Sequence, residues 1–179
     1  HLASMSGLMA CILAQYRGTI KPGDIFIGND PHVAGGTHLP DINLAMPIFK
    51  GDQLIGFVAN IVHHADVGGA AVGSMSGGLD EIFKEGLRIP IVRLFDGGEL
   101  QDDIMRLLLL NMRLPAERKG DLNAQIAAAK LGNQRIGDFI RPMEQIIPSG
   151  CSTRSSREQT AACAPPSESY PMGALAFLT

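Results

Sequence analysis

Cysteine is scarce in this 179-residue sequence, and Cys11, Cys151 and Cys163 form an odd, widely spaced set with no CxxC pair. That excludes a disulfide framework and a cysteine-based zinc site, and it fits a reducing, cytoplasmic setting. No excess of basic charge is present: the formal net charge is −3, so there is no electrostatic footprint for nucleic acid. No uninterrupted apolar run reaches the roughly 20 residues of a membrane-spanning helix, and nothing has the order of a signal peptide. A Walker pattern is missing, as is GxGxxG between strand and helix, so the runs Gly35-Gly36, Gly68-Gly69 and Gly77-Gly78 are no nucleotide site. Their expected role is to let backbone pack tightly. Apolar content of 45% with 18% charged residues leaves a globular chain, long enough for one domain with a core.

What the sequence does have is histidine and carboxylate in one place. Four of the five histidines and the aspartates Asp30, Asp41, Asp52 and Asp66 fall between residues 30 and 66. Two polar signatures carry most of them. One starts at Asn29-Asp30-Pro31 and ends at Gly35-Gly36-Thr37-His38-Leu39-Pro40-Asp41, and the other is His63-His64-Ala65-Asp66-Val67-Gly68-Gly69. The apolar stretch between them reads as two strands, residues 42–49 and 53–62, joined at Lys50-Gly51-Asp52. Folding that hairpin back on itself brings the two signatures side by side.

Histidine and carboxylate at this density suit a first-row divalent metal, and zinc, manganese and iron fit equally. His38 and Asp41 stand three apart, so one turn can present both. Alternatively, Asp41 caps a turn and His38 is merely exposed. In a strand His64 and Asp66 share a face and His63 points away, unless the backbone turns before Gly68-Gly69. Two histidines ending an apolar strand are costly to bury without partners, and a metal or carboxylates would satisfy them.

Around this core the chain reads in order. Residues 4–16 carry apolar side chains at Met5, Leu8, Met9, Ile12 and Leu13, a helical face with Ser4 as N-cap and Gly18 as stop. Residues 25–27 are a short buried strand, and 31–41 a loop. Pro47 places its strand at an edge or a bulge. A helical turn is expected over 80–85, an extended segment over 88–95, and a well-buried helix over 100–112. Pro115 starts another helix, Gly120-Asp121 interrupts it, and residues 122–140 continue with Ile126, Leu131, Ile136 and Phe139 as core. Lys84-Glu85 and Glu117-Arg118-Lys119 read as solvated charge. The expected fold class is α+β: a mixed or antiparallel sheet with flanking helices over residues 1–147, then an irregular, disordered tail over 148–179. Opening at His1 directly into a helical pattern, the chain reads as a piece of a longer protein.

The strings at 29–41 and 63–69, with Gly73-Ser74-Met75, Glu85-Gly86-Leu87-Arg88-Ile89-Pro90 and Gly120-Asp121-Leu122, collinear over residues 1–147, resemble the hydantoinase B/5-oxoprolinase family. The resemblance implies one part of a hetero-oligomeric, ATP-dependent enzyme. A hydantoinase A-type partner binds ATP and activates a small cyclic amide, and the B-type part opens the ring near a divalent metal. It places metal-ligand roles on His38, Asp41, His63, His64 and Asp66, with Asp30 as a supporting residue and no role for His32. ATP belongs to the partner, not to this chain. A ketone carboxylase subunit and an inactive truncated piece are the alternatives. The family continues with a basic helix and a Pro-Asp-Gly turn, which synonymous codons for residues 162–173 can spell one base earlier. A frame shift in the tail is therefore expected.

Overall fold

The computed structural model describes residues 2–146 and 176–177. Helix α1 (Leu2–Tyr16) leads to strand β1 (Ile25–Gly28) and to the hairpin of β2 (Asp41–Lys50) and β3 (Gln53–His63). A 3-10 turn (Val72–Ser74) and the single-turn α2 (Ile82–Glu85) follow. Strands β4 (Val92–Asp96) and β5 (Glu99–Leu100) then precede α3 (Asp102–Leu110) and the long α4 (Pro115–Ile146). With β6 (Ala176–Phe177) the strands form one sheet in the order β5-β4-β1-β2-β3-β6. All pairs among β1–β5 are antiparallel, and β6 runs parallel to β3 at Val58 and Ala59. The fold is α+β, as the sequence implies.

Strand alternation gives the sheet two buried faces. Phe26, Ala45, Phe57 and Ala59 meet Met5, Leu8, Met9 and Ile12 of α1. Ile25, Ile27, Ile42, Leu44 and Leu94 point the other way, onto Met105 and Leu108 of α3 and Leu122 and Ile126 of α4. Fully buried side chains on both faces make β1 and β2 near-continuous apolar runs rather than alternating ones.

Several expectations are corrected. Helix α1 begins at Leu2, so Ser4 lies within it and is not its cap. Gly120-Asp121 does not interrupt α4, which runs unbroken for 32 residues. A glycine costs such a helix only about 1 kcal/mol, and burial of Leu122, Ile126 and Ala129 on one stripe outweighs it. Leu131 and Phe139 lie off that stripe and are 54% and 73% exposed, and Leu107 and Leu110 of α3 are exposed too. Arg118 is not solvated but 7% exposed, paired with Asp121 at 3.1 Å. Pro47 sits beyond the residues that β1 pairs and next to a bulge at Ile48/Phe49, which resolves how a proline fits a central strand. The irregular, frame-shifted tail expected over 148–179 falls outside the described residues except for β6. Among the described residues no helix is long and apolar enough to cross a membrane.

Candidate metal centre

The register of the β2–β3 hairpin decides which side chains meet. Asp41 stands directly opposite His63, so their side chains share a face at the open end of the hairpin. The loop before β2 supplies the third group. The Asp41 N–H donates to the His38 carbonyl at 3.1 Å, and that turn puts His38 Nε2 3.1 Å from Asp41 Oδ2. The rings of His38 and His63 have centroids 5.0 Å apart. Thr37 Oγ1 donates to the same Asp41 oxygen at 2.5 Å and orients the carboxylate. Asp41 is buried at the base, while His38 and His63 reach the surface, where His38 borders a hollow of about 450 Å³ with Ser74, Met75 and Glu85.

One ligand atom from each of His38, Asp41 and His63 lies within 4.8 Å of the others. Bonds of about 2.0–2.2 Å hold two ligand atoms of one ion roughly 3–4 Å apart, so small rotations would close the set. Two imidazoles and one carboxylate are a donor set that zinc, manganese and iron all take, and three protein ligands leave coordination positions open. The residues fit a divalent ion.

His64 and Asp66 stand outside this cluster. His63 and His64 are neighbours on extended backbone and point to opposite faces. His64 turns to α4, where its Nε2 lies 3.1 Å from Gln125 Oε1. Gln125 Nε2 donates to the Ile42 carbonyl at 2.8 Å, which makes Oε1 the acceptor and puts the imidazole proton on Nε2. Burial pushes His64 below the ordinary histidine value, against the opposing effect of Gln125.

Asp66 lies beyond the end of β3, 6% exposed. Its carboxylate accepts hydrogen bonds from the N–H groups of Gly68 (2.8 Å), Gly73 (3.0 Å) and Arg113 (3.0 Å), and from the Arg113 guanidinium (2.9 Å). Burial alone would raise this carboxyl, but those bonds outweigh it and hold it at about 2. Arg113 also donates to the carbonyls of Gly68, Gly69 and Ala71, so the pair clasps the loop after β3. Gly68 is required there: a Cβ would sit 2.4 Å from the Asn111 carbonyl oxygen.

Asp30 does similar work in the first loop. It accepts from the N–H groups of His32 and Val33 and from Arg88, which together lower it despite burial. Asn29 ties three segments together, donating to the carbonyls of Leu39 and Leu87 and accepting from the Ile89 N–H. His32 is exposed on the loop.

Residues 1–151 match the family described as hydantoinase B/oxoprolinase. The chain belongs to that family. It is 35% identical over 140 residues to the caprolactamase subunit beta of Pseudomonas jessenii, covering 78% of this chain and 24% of that protein. It is 37% identical over 155 residues to the 5-oxoprolinase of Saccharomyces cerevisiae, covering 79% of this chain and 12% of the enzyme. The crystal structure of the ATP-dependent caprolactamase from Pseudomonas jessenii superposes with a TM-score of 0.72 at 34% identity, over 79% of this chain and 24% of that one. A nucleotide-free acetone carboxylase also superposes at 0.72, over 79% of this chain and 19% of that one, and its 23% identity shows the shared fold alone. The chain spans about a quarter or less of the length of these relatives.

In this hydantoinase B-type chain the sequence signatures divide between two tasks. His38, Asp41 and His63 converge, while Asn29, Asp30 and Asp66 hold loops. Sequence reasoning missed Thr37, Arg88, Arg113, Arg118 and Gln125, which position or adjoin the signature residues. The signal available for Thr37 and Arg88 was their place in the 29–41 and Glu85–Pro90 strings; Arg113 and Gln125 carried none, because their partners Asp66 and His64 lie 47 and 61 residues away.

Proposed function

We propose that this chain carries the metal-binding core of an ATP-dependent hydrolase of cyclic amides, acting on a substrate that a hydantoinase A-type partner activates with ATP. The observation that carries this reading is the convergence of His38, Asp41 and His63 at an accessible hairpin end. Identity of 35–37% to a caprolactamase subunit and a 5-oxoprolinase supports amide hydrolysis as the chemistry. Ketone carboxylation has only the shared fold behind it, so hydrolysis is the reading adopted here. A hetero-oligomer working in the cytoplasm fits both the partner and the free cysteine Cys11.

His38, His63 and Asp41 would hold the ion. A divalent ion bound there supplies Lewis-acid polarisation of an amide oxygen and acidifies water. Thr37 keeps the Asp41 carboxylate in one orientation, which fixes where an ion can sit. The Asp66–Arg113 clasp shapes the loop that carries Ser74 and Met75 to the hollow beside His38. Asp30 with Arg88 and Asn29 fix the loop that delivers His38.

The test uses the purified complex of this protein with its ATP-binding partner. ATP-dependent ring opening of 5-oxoproline, caprolactam or hydantoin, abolished by His63→Ala, is the expected result. ATP-dependent fixation of bicarbonate into a ketone with no ring opening would replace the hydrolase reading by the carboxylase one. A complex active on neither class would point to an inactive chain.

A further inference from the structure

Asp41 and His63 form the last rung of the β2–β3 ladder at the open end of the hairpin. Strand ends are where a ladder frays first, so backbone pairing alone restrains these two residues least. The residue that follows each of them, Ile42 after Asp41 and His64 after His63, turns to the opposite face of the sheet, towards α4.

One side chain of α4 grips both followers. Gln125 is 3% exposed, its Nε2 donates to the Ile42 carbonyl at 2.8 Å, and its Oε1 accepts from His64 Nε2 at 3.1 Å. Asn60 Nδ2 donates to the Gln125 backbone carbonyl at 3.0 Å, which fixes the helix on β3 where the amide can reach both strands. The His64 N–H donates to the Pro40 carbonyl at 2.8 Å, tying the end of β3 to the turn that carries His38 and Asp41. A buried amide that bridges two strands in this way holds their ends at one separation, because each half of it satisfies a different strand.

We propose that Gln125 is a positioning residue for the candidate metal centre: from the far face of the sheet it sets the separation of Asp41 and His63, and with it the affinity and geometry with which a divalent ion is held. The proposal rests on the reading of His38, Asp41 and His63 as ligands and adds what keeps them in register. Gln125 acts through the strands and not as a ligand. Metal sites tolerate errors of only about 0.2 Å in ligand distance, so a loosened rung is felt at the ion. The doubled histidine then has two separate tasks, His63 facing His38 and His64 serving as the handle that α4 holds.

Titration of the chelator-treated full chain with cobalt(II), read by its visible absorption, tests this. Gln125→Met keeps the bulk and loses both hydrogen bonds, while Gln125→Asn keeps the amide but is one methylene too short to bridge Ile42 and His64. Each should bind cobalt roughly 10–100-fold more weakly than the wild type, with an altered absorption band that reports changed coordination. Leu108→Ala, a buried core change on α3 whose side chain makes no hydrogen bond to β2 or β3, is the control for lost stability and should keep both affinity and band. Circular dichroism confirms that each variant is folded at the temperature used. Unchanged affinity and band in both Gln125 variants, or an equal loss in Leu108→Ala, would overturn the proposal and leave the metal reading standing. A wild-type chain that binds no cobalt would overturn both.

Discussion

Asp66→Asn keeps the size of a buried side chain and removes its charge. The two carboxylate oxygens divide four donors between them: Oδ1 takes the N–H groups of Gly68 and Arg113, and Oδ2 takes the Gly73 N–H and the Arg113 guanidinium. An asparagine presents an NH₂ to one of those pairs, so two donors face another donor. The fall of the Asp66 carboxyl from 3.8 to about 2 measures the favourable charge interactions that are lost, about 2 kcal/mol. Leaving donors unpaired adds about 1–3 kcal/mol, for a total of about 3–5 kcal/mol, the usual cost of breaking a buried charge pair. Urea unfolding at pH 7, followed by circular dichroism, should show that loss.

Acid adds a second signature. The unfolded chain protonates Asp66 near 3.8 and the folded chain only near 2, so the stabilisation is complete above about pH 4 and disappears as the pH falls towards 2. The asparagine variant should lack this component of acid destabilisation. A loss below about 1 kcal/mol at pH 7, or identical acid profiles for the two proteins, would refute the clasp.

Other parts of the account can be checked the same way. Asn29→Ala strands the carbonyls of Leu39 and Leu87 and the Ile89 N–H, and should cost about 3 kcal/mol with faster hydrogen exchange at the Ile89 amide. Leu108→Ala, at 2% exposure, should destabilise by about 2–5 kcal/mol, whereas Leu110→Ala, at 84%, should stay within about 0.5 kcal/mol by thermal unfolding. Gly36→Ala would push a Cβ to 2.0 Å from the Asn29 carbonyl oxygen and should lower the melting temperature sharply.

The hairpin was legible because the 42–62 stretch is apolar, β-forming and broken by Gly51 at a two-residue turn, and its register then carries Asp41 to His63 without further information. Local rules thus reached the His38–Asp41–His63 cluster. They also stated the alternation that separates His63 from His64, but not which of the two would face His38, since that depends on where the loop from Gly36 to Pro40 returns. Long-range partners were out of reach: Arg113 lies 47 residues from Asp66, and Gln125 lies 61 from His64. Glu117-Arg118-Lys119 looked like surface charge because nothing local says that α4 turns Arg118 inward onto β3. Gly120 misled for the opposite reason, since tertiary packing of Leu122 and Ile126 overrode a local breaker.

The most direct test of the central claim is the metal content of the full-length protein. After exposure to zinc, manganese or iron(II) and gel filtration, elemental analysis should find about one divalent ion per chain. Asp41→Ala and His63→Ala should each reduce it to background, while Asp52→Ala, at the far turn of the hairpin, should retain it. A wild-type chain that holds no ion, or an ion that survives the loss of both Asp41 and His63, would contradict the assignment of this cluster as the metal centre.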